Sequence, residues 1–275
     1  MNTYSLKSSA ISRNPDPGNV LALAGVVIKE LYRRKDFYVL FALVVVITLL
    51  LGSVNFFHED RIVRYLKEAC LLLIWLSSLV IAISTAARQI PAERESRTIY
   101  PLLAKPVGRG EFIVGKYVGC WLACGLCLVV FYFFFGFLSA SREHAWPLVA
   151  YLQAIWLHWI CLGIVIALVL LGSVVFTAVS SNVTISFIVV VGILFAGGHL
   201  NGVAIEMHGF RGAAVYAVYY LIPHLEWFDV RDLIVHDWGQ IEWLACAGAT
   251  VYGLLYSAML LACAWLVFRR KTMTL

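Results

Sequence analysis

Apolar runs long enough to cross a bilayer recur along this chain, and they constrain its fold more than any other feature. A spanning helix needs roughly 20 mostly apolar residues, because it rises about 1.5 Å per residue against about 30 Å of hydrocarbon. Six segments meet that need: 37–54, 69–87, 112–138, 148–179, 183–203 and 241–268. The fourth is long enough to tilt or to extend past the hydrocarbon. Composition closes off the soluble alternative, since 62% of the 275 residues are hydrophobic and 13% charged, against about 25% charged in soluble domains. Such a chain has too little polar surface to cover itself in water. The expected fold class is an all-α membrane protein, a single bundle of six transmembrane helices within 37–268.

Charge in the connections sets the orientation, because Lys and Arg favour the cytoplasmic side. With the N-terminus inside, the cytoplasmic segments hold Lys7, Arg13, Lys29, Arg33, Arg34, Lys35, Arg88, Arg94, Arg97, Lys105, Arg109, Lys116, Arg269, Arg270 and Lys271. The outer segments hold Arg61, Arg64, Lys67, Arg142, Arg211 and Arg231. Fifteen against six predicts N-in and C-in, which an even number of spans requires. Residues 1–18 are polar, carry two prolines and lack the apolar core of a signal peptide, so they read as a disordered cytoplasmic tail. Residues 269–275 form a second cytoplasmic tail. In 19–36 the charges gather at Arg33, Arg34 and Lys35 after an apolar stretch, which predicts an interfacial helix beside anionic headgroups. The outer loop, 204–240, is aromatic-rich but interrupted by Pro223 and five acidic residues (Glu206, Glu226, Asp229, Asp232, Asp237). Short helices resting at the outer interface are expected there.

The long inner connection, 88–116, carries the chemistry. Pro91 suits a first helical position, where its missing N–H costs nothing, and Glu93 and Glu95 then favour the helix dipole. Pro101 ends this helix near Tyr100. Pro106, Val107 and Gly108 form a turn, and a new helix starts near Arg109 with Glu111 in its first turn, running straight into the third span. Gly110 and Gly115-Lys116 spell G-x-x-x-x-G-K, the P-loop spacing. A working P-loop follows a buried strand and ends in a Ser or Thr that holds the metal. Here Tyr117 stands in that place, no strand precedes, and Glu111 would repel phosphate. The residues instead describe a helix entering the membrane, with Gly115 and Lys116 as the entry hinge and the Lys116 ammonium reaching back to the interface.

The same segment resembles the ABC-2 type permease family. The resemblance lies in Glu93-Arg94-Glu95, Thr98, Leu102-Leu103, Pro106-Val107, Arg109, Glu111 and Gly115-Lys116, together with the six-span layout and the closing Phe268–Lys271. Within the family it is most similar to the small copper-associated and gliding-associated permeases. Arg97 departs from the glycine usual before the Thr, and Pro101 follows further on. The resemblance implies a transport subunit, an exporter of a bacterial plasma membrane, with no ATPase site or cofactor of its own. It implies that ATP and Mg lie in a separate cytoplasmic ABC ATPase subunit, and that two permease copies pair, with an extracytoplasmic partner protein as a further possible contact. The 88–116 segment would then be a coupling helix, docking the ATPase through Glu93, Arg94, Glu95, Arg97, Thr98, Pro106, Arg109 and Glu111. Membrane lipids are the remaining partners; no nucleic acid is expected.

Other polar groups offer alternative sites. Cys120, Cys124 and Cys127 share one face of the third span and could hold a soft metal, although buried Cys more commonly packs as a small apolar residue. His144, His199, His208, His224 and His236 fall in the outer loops without ligand spacing. His158 lies inside the fourth span, where an ionisable group is a functional candidate or a neutral ring bonded to a neighbouring helix. A second function class stays open on sequence alone: a membrane enzyme acting on lipid or isoprenoid through outer-loop His and Asp.

Overall fold

The computed structural model describes residues 17–33, 35–53, 59–95, 109–143, 147–206 and 210–270, and every regular element among them is a helix. α1 (Pro17–Arg33) and α2 (Asp36–Ser53) are followed by α3 (Glu59–Ala87), which turns into the short α4 (Pro91–Glu95). Then come α5 (Arg109–Glu143), α6 (Leu148–Val175), α7 (Val179–Glu206) and α8 (Phe210–Leu221). A 3-10 turn (Leu225–Phe228), α9 (Arg231–Val235) and α10 (Trp243–Arg270) complete the chain.

Five stretches are long and apolar enough to cross a membrane: Val63–Arg94, Gly110–Ser141, Leu148–Val175, Val179–Gly197 and Trp243–Arg270. The expected first span corresponds to α2, whose apolar part, Phe37–Leu50, is shorter; its 18 residues reach about 27 Å. The expected fourth span, drawn to residue 179, ends earlier. Phe176 adopts an extended conformation (φ −82°, ψ 145°) and its N–H donates to the Gly172 carbonyl at 2.8 Å, closing α6 before α7 begins at Val179. Hydropathy misses this break because Phe176 and Val179, on either side of it, are both apolar.

α6 is the centre of the bundle. Residues 160–167 are all buried, and the helix packs against α3, α5, α7 and α10, as expected for a helix apolar on every face. Its grip on α5 is reciprocal. The Trp121 indole N–H donates to the Trp159 carbonyl at 2.9 Å, and Trp159 donates to the Trp121 carbonyl at 2.8 Å. The two rings stack 4.3 Å apart. α1 lies beside α5 in the same chain direction. Leu23 meets Gly115, and Ala24 and Val27 meet Gly119, where a Cβ would sit 2.9 Å from the Ala24 Cα. Small residues let helices approach this closely.

Residues 222–242 form a lid wedged into one end of the bundle. Leu225, Phe228, Val230, Ile234 and Val235 are buried there. The Gln153 amide clasps Ile241 twice, donating to its carbonyl at 2.9 Å and accepting from its N–H at 3.1 Å. Lys67 of α3 reaches Asp237 at 3.4 Å. α4 lies at the opposite end.

Candidate functional site

The segment singled out by sequence leaves the bundle through α4 and returns through α5, and both helices are fixed at their roots. Asn182, fully buried in α7, donates to the carbonyl of Ala87, the last residue of α3, at 3.0 Å. This satisfies one of the carbonyls a helix end leaves open. The backbone then turns: Ala92 N–H donates to the Arg88 carbonyl at 3.0 Å and Arg94 N–H to the Ile90 carbonyl at 3.1 Å. Ile90 is buried in a small apolar cluster with Leu23, Phe112, Ile113, Val174, Ala264 and Phe268. Phe112 and Phe268 stack with centroids 6.1 Å apart, so this cluster joins the root of α4 to α1, α5, α6 and α10.

The turn brings Glu93 onto Lys116. Their carboxylate and ammonium are in direct contact, Lys116 is 3% exposed and Glu93 18%. The ammonium also stands 5.8 Å from the Phe112 ring centroid. The Lys116 ammonium, expected to reach back to the interface, thus meets a carboxylate of the inner connection. Its charge is met inside the protein by a carboxylate 23 positions earlier, so it has no need of solvent. Gly115 lies within the uninterrupted α5, against Leu23.

The other expected docking residues are distributed unevenly. Arg94 is half-buried and turns toward the Val174 carbonyl at 3.5 Å, the long limit of a hydrogen bond. Glu111 is half-buried in the first turn of α5. Glu95 ends α4 and Arg109 begins α5. Arg97, Thr98 and Pro106 lie outside the described residues. Glu93, Arg94 and Lys116 are thus engaged with the bundle, as is Arg88, whose Nε donates to the Ser84 carbonyl at 3.1 Å.

His158 is buried with both ring nitrogens partnered. Ser78 Oγ is 2.8 Å from Nε2 and Tyr132 Oη is 3.3 Å from Nδ1. Ser78 spends its one proton on the Trp75 carbonyl at 2.8 Å, so Nε2–H donates to Ser78 and the Tyr132 hydroxyl donates to Nδ1. That count fits a neutral imidazole tying α3, α5 and α6 together. Above it, Arg231 lies 5.2 Å over the Trp75 ring. Arg231 also binds Asp229 twice, Nη2 to Oδ2 at 2.6 Å and Nε to Oδ1 at 2.8 Å. Burial pushes the Asp229 carboxyl up, but hydrogen bonds and charge from Arg231 outweigh it and hold the group below its ordinary value. Cys120, Cys124 and Cys127 are buried in α5, and no group of three or more His, Cys, Asp or Glu among the described residues is placed to hold a metal ion.

Sequence reading missed Asn182 and the Glu93–Lys116 contact. A polar Asn near the start of an apolar span was the available signal for the first. The second had no local signal, because it depends on α4 folding back.

Apolar helices of spanning length around a buried polar network define a multi-pass membrane protein. Residues 73–273 match the ABC-2 family transporter protein family, and the chain belongs to that family. It is a permease of an ABC transporter, a class that works with an ABC ATPase subunit. No curated protein matches the chain.

Proposed function

We propose that this chain is the transmembrane subunit of an ABC exporter in a bacterial plasma membrane, coupling ATP binding and hydrolysis in a separate subunit to substrate movement. In this reading α1 and α2 together make the first crossing in place of the interfacial helix expected for α1, since α1 runs along α5 and Phe37 at the start of α2 stands 5.8 Å from Phe131. Both termini are cytoplasmic, and the α4 end faces the ATPase. ATP and Mg are held by the partner, and two permease copies pair. The observation that carries the reading is the clamp at the root of the 88–116 segment. Switching a two-state pore from about 1:99 to 99:1 takes roughly 5.5 kcal/mol of differential binding. A partner can deliver that only by pushing on something rigid. The Glu93–Lys116 contact and the Ile90–Phe112–Phe268 cluster make α4 rigid with α5. A push on residues 96–108 therefore reaches a long helix without loss in a hinge.

Docking then falls to the flanking charges Glu95, Arg97, Arg109 and Glu111, with Thr98 and Pro106 between them, while Glu93 and Arg94 hold the lever to the bundle. The test is co-purification with the cognate ATPase and measurement of permease-stimulated ATP hydrolysis. Arg109→Glu is expected to lose both association and stimulation. Full stimulation by Arg109→Glu together with Glu111→Lys would sink the docking assignment.

A further inference from the structure

A cleft of about 500 Å³ opens on the side of the bundle between α3 and α7. Trp75 and Leu76 form one wall and Phe187 and Phe195 the other, while Glu226, Asp229 and Arg231 frame its end under the lid. Asp229 and Arg231 neutralise each other through the two bonds described above. Glu226 has no such partner. Its Oε2 is buried without a hydrogen bond and pressed into the notch left by Gly197, where a Cβ would sit 2.5 Å away. Its Oε1 lies 3.3 Å from His224 Nδ1, a contact that brings charge only when that ring is protonated. His224 Nδ1 itself makes no hydrogen bond. A buried carboxylate oxygen without a donor is costly, and a group that supplies one gains correspondingly.

We propose that this cleft binds an amphiphile with an ammonium headgroup, its alkyl chain lying between α3 and α7 and its ammonium donating to Glu226. The framing charges decide the sign: one carboxylate is left over after Asp229 and Arg231 cancel. An anionic headgroup would meet that carboxylate, and a neutral one would leave the charge unanswered. The inference deepens the permease reading by naming the class of molecule this face admits. It rests on that reading for transport, whereas binding requires neither nucleotide nor ATPase.

The test uses the full chain in phosphatidylglycerol nanodiscs, which contain no ammonium lipid. The probe is a dodecylammonium amphiphile bearing a diazirine in its chain, beside dodecyl sulfate and dodecyl glucoside analogues with the same diazirine. The ammonium probe is expected to label peptides containing residues 72–79 and 187–195. Labelling should fall about tenfold in Glu226→Gln, as loss of a charged hydrogen-bond partner implies. It should persist in Glu226→Asp and in the exposed control Asp232→Asn. Leu76→Trp, which fills the slot and keeps the carboxylate, should also abolish it. Equal labelling by the sulfate probe, or unchanged labelling in Glu226→Gln, overturns the proposal. So does a Phe195→Cys disulfide between two copies that forms equally well in excess amphiphile, since a second copy would then own this face. Loss of ATPase stimulation in these samples bears on the permease reading alone.

Discussion

Removing either member of the Glu93–Lys116 pair leaves one charge in a place built for two. Breaking a buried pair from one side typically costs about 3–5 kcal/mol, while replacing both partners with neutral groups costs far less. Glu93→Gln and Lys116→Met are therefore each expected to lower the midpoint of thermal unfolding. The double variant should recover most of the loss, and additive losses would show that the two charges do not interact. Sequence displayed both residues but not their meeting, because 23 positions and a reversal of direction separate them. His158 was legible as a buried ionisable group, and its partners were not, since they come from two other helices. Asp229 carries a pH dependence whose sign is fixed by its environment. Its folded value lies below its unfolded one, so the stability it lends is present above the unfolded value of about 3.9 and is lost as pH falls through the folded value. Proteolysis of the 222–242 lid should accelerate in that acid range, and Arg231→Gln should flatten the dependence.

Elements were legible where hydropathy alone decides. α3, α5 and α7 contain the apolar runs read from sequence, each lengthened by polar turns that hydropathy does not score as membrane, and α10 is the last run shifted by two residues. The lid was less legible, because its buried residues Leu225, Phe228, Ile234 and Val235 are scattered among charges and their burial depends on the helices beneath. The placement of α1 was legible only in part. Its apolar stretch ending in charges predicted a helix at the interface, while the groove that receives it is written in Gly115 and Gly119 of another helix. Filling that groove should detach α1. Gly119→Leu would force side-chain atoms into the Ala24 backbone and the Val27 side chain and is expected to loosen α1, speeding tryptic cleavage at Lys29 and Arg33, which are exposed but held in helix. Gly25→Ala, on the open side of α1 where a Cβ meets nothing within 4 Å, should leave cleavage unchanged. Equal cleavage in the two variants would mean that α1 is not held by this contact.

At the scale of the whole molecule, the apolar interior is divided. A large cluster runs through the bundle to the lid, and a small one at the α4 end joins Leu23, Ile90, Phe112, Ile113, Val174, Ala264 and Phe268. The small cluster gathers residues from α1, α5, α6 and α10 around the root of α4, so a force on α4 is shared among helices that otherwise meet higher in the bundle. Phe268 is its contribution from the last helix, fully buried and stacked on Phe112. Phe268→Ala removes that contact and leaves every docking charge in place. A buried Phe→Ala change costs about 3–5 kcal/mol, so the variant is compared with a similarly buried Phe→Ala change elsewhere, Phe228→Ala in the lid, each corrected for its measured folded fraction. On the proposed mechanism, Phe268→Ala still binds the ATPase but stimulates hydrolysis weakly, whereas Phe228→Ala binds and stimulates in proportion to its folded fraction. If both variants stimulate equally once corrected for folded protein, the small cluster transmits nothing, and coupling passes along α5 alone.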